Sequence, residues 1–134
     1  MSVLSRIKHK ISFWGGETMS LIERIDTVCL KVREIEKASR WYQEMLGLEE
    51  HYKEDHYVIL KIGESSVPLT LEKGEPAAQD NATYPIFFSS SIDETHQLLS
   101  ARGVRVSSIQ KDGINTYFEL YDLDGNKSQI CFWE

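Results

Sequence analysis

The feature of the sequence that most constrains the fold is a repeat of one order of predicted elements in its two halves. In the first half, an alternating apolar pattern at 25–32 predicts a strand, and a helical pattern follows and ends at Gly47. Three more strand patterns then occur at 48–52, 57–62 and 67–72. The first half therefore predicts a β-α-β-β-β unit.

The second half repeats this order after a linker at 73–83 that is rich in Gly, Pro, Asn and Asp. A strand pattern precedes a helix, which Ser91 and Glu94 are predicted to begin as a capping box and Gly103 to end. The predicted strands of this half are 84–90, 104–108, 114–121 and 127–133. Residues 56–60 and 116–120 also match locally, which favours two similar modules over two unrelated ones.

Two such modules predict an α+β fold, in which a curved mixed sheet surrounds a cleft and the helices cover the outer face. The alternation of the first strand places Val28, Leu30 and Val32 toward the helices. The first helix is predicted to bury the apolar stripe formed by Ile35, Ala38, Tyr42, Met45 and Leu46.

Length and charge restrict the class of protein further. The chain of 134 residues is long enough for one domain, which we predict to span 19–134 with modules at about 21–73 and 84–134. The net charge of −6 makes nucleic acid an unfavourable partner and favours a cationic small ligand. No apolar run is long enough to cross a membrane and no secretory signal is present, so we expect a cytoplasmic protein.

Residues 1–18 form a separate N-terminal extension with apolar residues at helical spacing beside basic ones. A docking helix is one interpretation of this segment. The alternative, which we favour, is that natural translation begins at Met19, because Gly-Gly-Glu at 15–17 can be encoded by a run resembling a ribosome-binding site.

Several short motifs, taken in order, resemble the vicinal oxygen chelate superfamily. They are I-D-x-V-x-L-x-V at 25–32, W-Y-x-x-x-L-G-L at 41–48 and D-x-D-G-N at 122–126. This group includes glyoxalase I, extradiol dioxygenases, and fosfomycin- and bleomycin-resistance proteins, and the resemblance extends over 21–134. It implies a cleft between paired modules, and in metal-dependent members a divalent ion held by His, Glu or Gln from the first and fourth strand of each module.

Carried onto this chain, the four metal-ligand positions of the family fall on Thr27, Thr70, Pro85 and Gln129. None of these residues offers a carboxylate or an imidazole, and Pro85 offers no side-chain donor at all. Divalent ions in proteins need several such ligands. The resemblance combined with these residues predicts a site without a metal ion, and we expect no cofactor.

The predicted function is that of a metal-free protein that binds a small organic molecule in the cleft, as bleomycin-resistance members do. The alternative is a metal-dependent lyase, isomerase or dioxygenase, or a metal-free catalyst that uses Glu72 or Glu119 as a general base. No catalytic residue is assigned, and the resemblance implies a homodimer. The residues predicted to contact the ligand are Thr27, Cys29, Thr70, Glu72, Phe87, Gln129, Cys131 and Trp133.

Further predictions concern residues beside this site. Strand alternation directs Ile86 and Phe88 toward the helices, on the face opposite to Phe87. Cys29 and Cys131 are interpreted as reduced and buried thiols. His96 is expected at the protein surface.

Overall fold

The computed structural model describes residues 20–76 and 83–134. The predicted N-terminal extension and most of the predicted linker lie outside these ranges. No helix in the described part of the chain is long and apolar enough to cross a membrane.

The first module has the predicted β-α-β-β-β order. Its helix α1 ends where Gly47 adopts a left-handed conformation with φ 72°, and the Gly47 N–H donates to the carbonyl of Gln43. The elements are β1 (Val28–Val32), α1 (Ile35–Leu46), β2 (Glu49–Lys53), β3 (Tyr57–Lys61) and β4 (Leu69–Lys73).

The second module repeats the order and adds one short strand, β7, which the sequence pattern did not predict. Its elements are β5 (Ile86–Phe88), α2 (Ile92–Ala101), β6 (Arg105–Val106), β7 (Gln110–Asp112), β8 (Asn115–Tyr121) and β9 (Lys127–Phe132). All three residues of β7 are exposed and polar, so they carry no apolar alternation.

Each module forms its own mixed sheet. In the first sheet the strand order is β1-β4-β3-β2, and in the second it is β5-β9-β8-β6 with β7 paired to β8. The first strand of each module pairs in parallel with the last, and the other pairs are antiparallel. The α+β class and the two-module architecture are therefore as predicted, with the strands divided into two sheets.

Pairing registers confirm the internal repeat. Cys29 lies opposite Thr70 in the first sheet, and Ile86 lies opposite Gln129 in the second. Helix α1 begins six residues after Cys29, and α2 begins six residues after Ile86. Cys29 and Ile86 are thus equivalent positions, as are Thr70 and Gln129.

Two apolar cores lie between the sheets and their helices. The first contains Tyr42 from α1 packed on Val58, Leu60, Leu69 and Leu71, all with no exposed surface. The second is built on Phe118 and Leu120, with residues of α2 around them. Trp41 contacts both cores, so α1 also covers part of the second module.

The turn between β8 and β9 joins the two modules by hydrogen bonds. The buried carboxylate of Asp122 accepts a bond of 2.7 Å from the Tyr42 hydroxyl on α1. The side-chain amide of Asn126 donates to the Lys31 carbonyl of β1, and the Arg33 N–H donates to the Asp124 carboxylate. These contacts fix the second module against β1 and α1.

The start of α2 differs from the prediction. Ser91 makes no side-chain capping bond, so the predicted capping box is wrong. Instead, the Ser89 hydroxyl accepts a hydrogen bond from the Ser91 N–H and bonds to the Thr95 hydroxyl at 2.8 Å. The polar group that stabilises this helix start therefore lies two residues earlier in the sequence.

Candidate functional site

Each sheet has one face that its helix does not cover, and these faces carry all the predicted ligand residues except Phe87. The first open face belongs to the first sheet and is formed by Thr27, Cys29, Lys31, Tyr57, Ile59, Pro68, Thr70 and Glu72. The second open face belongs to the second sheet and is formed by Tyr84, Ile86, Phe88, Tyr117, Glu119, Lys127, Gln129, Cys131 and Trp133.

Two threonine hydroxyls at the centre of the first open face bond to each other. The oxygens of Thr27 and Thr70 are 2.7 Å apart, and the Thr27 hydroxyl is also 3.0 Å from the Pro68 carbonyl, to which it donates. Both residues line a recess of about 500 Å³ together with Glu72, Tyr57 and other residues of the first module. Because the Thr27 proton goes to the Pro68 carbonyl, Thr70 donates to Thr27, and both oxygens remain neutral hydroxyls that carry no negative charge for a cation.

An ion pair lies beside these threonines. Lys31 and Glu72 are directly opposite in the register and their side chains form a salt bridge on the first open face. The negative charge of the Glu72 carboxylate is therefore balanced by the Lys31 ammonium.

The two thiols differ in exposure. Cys131 is buried as predicted, whereas Cys29 is exposed, so the prediction of burial for Cys29 is wrong. Partial desolvation, and then the Glu72 carboxylate, raise the pKa of the Cys29 thiol, while Lys31 opposes this effect. Burial raises the pKa of Cys131. A raised pKa reduces the thiolate fraction, so neither thiol has the activation that a nucleophilic cysteine requires.

The predicted faces of β5 are reversed. Ile86 and Phe88 pair with Gln129 and Cys131, and parallel partners share one face of a sheet. These two side chains are 56% and 57% exposed, whereas Phe87 packs against the second core. The placement of Phe87 on the ligand face is therefore wrong, and so are the placements of Ile86 and Phe88 toward the helix.

The same register corrects the position carried over from the family. Thr27 precedes Cys29 by two residues, and the equivalent residue in the second module precedes Ile86 by two, which is Tyr84 rather than Pro85. Pro85 is buried on the opposite face, and its carbonyl accepts the Gln129 N–H. The equal spacing from strand to helix in both modules is the sequence signal that identifies Tyr84.

The side-chain ammonium of Lys127 lies over the ring of Tyr84. The Lys127 ammonium is 4.2 Å from the centroid of the Tyr84 ring and 3.3 Å from the Glu119 carboxylate. Glu119 is paired across the sheet with Gln129. Tyr84 and Lys127 were missed from the sequence because they are 43 residues apart and meet only through the pairing of β5 with β9.

Aromatic side chains occupy the other end of the second open face. Trp133 contacts Phe88 edge-on with ring centroids 6.1 Å apart, and Phe88 also contacts Phe132. Trp133 and Phe88 are both largely exposed. This cluster offers flat apolar surface of the kind that stacks on planar ligands.

No histidine occupies one of the four family positions, although His51 lines the recess of the first open face together with Thr27 and Glu72. His51 and His56 are exposed, whereas His96 is partly buried. Its Nε2 lies 2.8 Å from the Ser107 carbonyl and its ring contacts Phe118 edge-on, so the prediction of a surface position is wrong. Within 20–76 and 83–134, no three His, Cys, Asp or Glu side chains are grouped so as to hold a metal ion.

The predicted ligand residues fall into two groups. Thr27, Thr70 and Glu72 line one recess, with Cys29 on the same face, whereas Gln129, Cys131 and Trp133 lie on the second open face. The two groups belong to different sheets. That one cleft contains both groups therefore stays a prediction.

Comparisons with known proteins agree with this architecture. The sequence profile of the Glyoxalase/Bleomycin resistance protein/Dioxygenase superfamily matches residues 24–130. No curated protein matches the chain significantly.

Solved structures with the same fold have different functions. A glyoxalase family protein from Bacillus anthracis is 22% identical with a TM-score of 0.74, over 87% of this chain and 100% of that one. TnmS3, an antibiotic-binding protein from Streptomyces sp. CB03234, is 17% identical with a TM-score of 0.74. The match covers 86% of this chain and 99% of TnmS3.

The fosfomycin resistance protein FosX from Listeria monocytogenes, in complex with Mn(II) and sulfate, is 17% identical with a TM-score of 0.73. The match covers 85% of this chain and 93% of FosX. At these identities the likeness establishes the fold and not the chemistry. With the profile matching most of its length, the chain belongs to the glyoxalase/bleomycin resistance protein/dioxygenase superfamily.

Proposed function

We propose that the chain binds a small organic molecule on its open faces without a metal ion. The observation that carries this proposal is the set of residues at the four equivalent first-strand and last-strand positions, which are Thr27, Thr70, Tyr84 and Gln129. Their side chains offer hydroxyl, phenol and amide oxygens, and none is an imidazole or a carboxylate.

The surroundings of these four residues weigh further against a divalent ion. The two threonine hydroxyls bond to each other, and the Lys127 ammonium covers the Tyr84 ring. A divalent cation near Tyr84 would be repelled by the Lys127 ammonium, and the neighbouring Glu119 carboxylate is already paired with that ammonium. The residues present therefore do not fit the metal of the metal-dependent relatives.

The lining of the open faces favours an organic ligand of mixed character. The first open face has a recess of about 500 Å³ with hydroxyl groups and an ion pair, and the second carries the exposed rings of Phe88 and Trp133. Such a mixture suits a partly planar molecule with a few polar groups. The similarity to TnmS3, which binds an antibiotic, supports a binding role.

Charge and assembly complete the proposal. The net charge of −6 attracts cationic ligands at long range, so we propose a cationic ligand. The open faces lie on separate sheets, and we propose that a homodimer in the cytoplasm is the functional form. Size-exclusion chromatography with light scattering tests the dimer, since a monomeric mass at high concentration would contradict it.

Metal analysis tests the central claim. Protein purified without chelator is expected to hold far less than one Zn, Mn, Ni or Fe per chain. A matched variant that restores the ligand types of metal-dependent members, Thr27→His, Thr70→Glu, Tyr84→His and Gln129→Glu, is expected to gain affinity for Zn²⁺ if the four positions converge. Stoichiometric metal in the unmodified protein would refute the proposal and favour the metal-dependent lyase, isomerase or dioxygenase.

A ligand screen tests the binding role. Thermal-shift measurements on a panel of cationic, neutral and anionic aromatic compounds should identify stabilising ligands, because binding to the folded state raises the midpoint of unfolding. The Trp133→Ala variant should lose most of the shift, whereas Leu123→Ala, at a similarly exposed residue at the other end of the β8–β9 hairpin, should keep it. An equal loss in both variants would contradict stacking on Trp133.

A further inference from the structure

A second cavity lies away from the centre of both open faces, where the two modules meet. It has a volume of about 300 Å³, within the range of ligand pockets. It lies between the end of α1, helix α2 and the edge strand β5. Its twelve lining residues include Met45 at the end of α1, Phe88 and Ser89 of the β5 segment, and Thr95, Leu98 and Arg102 on the side of α2.

The walls of this intermodule cavity are apolar. Leucine, isoleucine, methionine and phenylalanine side chains provide nine of its twelve lining residues. Leu98 is 50% exposed at its rim, so apolar surface remains in contact with water. The only hydroxyl groups among the lining residues, those of Ser89 and Thr95, bond to each other at 2.8 Å. The cavity thus favours an apolar group.

One cation lies at the edge of the cavity. The Arg102 Nη1 donates to the carbonyl of Met45 at 2.7 Å, which places the guanidinium between two lining residues. This bond also satisfies a carbonyl in the last turn of α1, which is a structural role. A guanidinium has five N–H donors, so most remain for another partner.

Arg102 has no carboxylate partner among the described residues, although Arg24 and Arg33 each form an ion pair. An unpaired guanidinium beside apolar surface matches a ligand with a carboxylate at one end and an apolar body at the other.

We propose that the intermodule cavity binds a small amphipathic carboxylate, with its apolar body against Leu98 and its carboxylate at Arg102. This site shares the Phe88 ring with the second open face, but its binding does not depend on the function proposed above. Because residues of both modules line it, an occupant also stabilises the contact between α1 and α2.

The test uses the full chain and octanoate, with octanamide as the neutral probe of similar shape. Two-dimensional NMR should show saturable shifts at the amides of Met45, Thr95 and Leu98. Octanoate should bind roughly 1.5-fold to fivefold more tightly than octanamide, which is the range expected for a partly exposed ion pair.

Variants separate the two parts of the proposal. Leu98→Asp should weaken octanoate binding at least tenfold, whereas Leu123→Asp, at a leucine that is 51% exposed and does not line the cavity, should not. Arg102→Met should remove the preference for octanoate over octanamide, and Arg102→Lys should retain part of it.

Several results would overturn the proposal. One is the absence of saturable shifts at the lining residues. Another is octanoate binding that Leu98→Asp leaves unchanged, or shifts confined to Gln129 and its neighbours on the second open face. The last is concentration-dependent shifts of the lining residues without octanoate, because these would show that a second copy of the chain covers the cavity.

Discussion

The hydrogen bond between Tyr42 and Asp122 joins the two modules, and we expect it to contribute substantially to the free energy of unfolding. The Tyr42 side chain is fully buried and its hydroxyl donates to a carboxylate that is also buried. Tyr42→Phe removes the hydroxyl and leaves the ring in the first core. The variant therefore isolates the hydrogen bond from the packing.

The expected magnitude follows from the other partners of Asp122. Its carboxylate also accepts bonds from the backbone N–H groups of Asp124 and Asn126 and from the Asn126 side chain. Three donors remain after the substitution, so the buried charge is not left without partners. A hydrogen bond to a charged group contributes about 1.5–3 kcal/mol, and we expect a loss of about 2 kcal/mol.

The pH dependence provides a second, independent signature. Burial, and then the Asp122 carboxylate, raise the pKa of Tyr42 well above its ordinary value of 10. In the unfolded chain this phenol ionises near pH 10, while in the folded protein it stays protonated. The unfolded state then binds fewer protons than the folded state, so stability falls as the pH rises.

The variant has no phenol at position 42 and lacks this loss. Its stability deficit relative to the unmodified protein should therefore be constant below about pH 9 and should narrow above pH 10. The narrowing approaches about 1.4 kcal/mol per pH unit until the pH reaches the folded-state pKa.

Urea denaturation at pH 7, 9, 10 and 10.5 measures both effects as free energies of unfolding. Tyr121→Phe is the control, because the Tyr121 hydroxyl makes no hydrogen bond within the described part of the chain and its ring contacts Arg105 instead. A deficit below 0.5 kcal/mol at pH 7, or one that widens above pH 10, would refute the reasoning.

Three further outcomes can be checked with single variants or reagents. Gly47→Ala should cost about 1 kcal/mol in urea denaturation, because the left-handed backbone is strained for alanine although no atom lies within 4 Å of the added carbon; an unchanged midpoint would contradict this. Ser89→Ala should cost about 1 kcal/mol and reduce protection of the first turn of α2 against hydrogen exchange, since it removes the acceptor of the Ser91 N–H; unchanged protection would exclude that role. Iodoacetamide should modify Cys29 before Cys131 and more slowly than it modifies free cysteine at pH 8, because the pKa of each thiol is raised and only Cys29 is exposed; peptide mass spectrometry giving equal rates would contradict the assignment.

Elements with a clear periodic pattern could be predicted from the sequence. Val28, Leu30 and Val32 alternate with polar residues, and this alternation identified the core face of β1 correctly. The stripe through Ile35 and Tyr42 identified the buried face of α1, and Gly47 identified its end. In each case the information is local, because a strand or helix with one buried face must carry that face in its own sequence.

The second module was harder to predict because its signals are not local. Tyr84 to Phe88 is an almost continuous apolar run, and such a run has no alternation from which to choose a face. The correct face is set by the pairing of Ile86 with Gln129, which lies 43 residues away. The exposure of Cys29 is likewise not local, since it depends on what covers the first open face.

The candidate site and the fold depend on different residues, and this separation explains why the family could be identified more readily than the chemistry. The cores are built from Leu69, Leu71, Phe118 and Ile130, which face the helices. Residues that alternate with them along the same strands, such as Thr70 and Gln129, face the open sides and lie outside the apolar cores.

The side chains of one strand therefore form two independent sets. The core-facing set determines the fold, and the open-face set determines which ligand the sheet can contact. Substitutions in the open-face set leave the core-facing set intact, because an open-face side chain fills no space in the core. It follows that metal-dependent and metal-free members can share the same motifs for strands, helix ends and turns. For this chain, the discriminating residues are those at the four register-equivalent positions, and their chemistry, rather than the shared motifs, supports a binding protein.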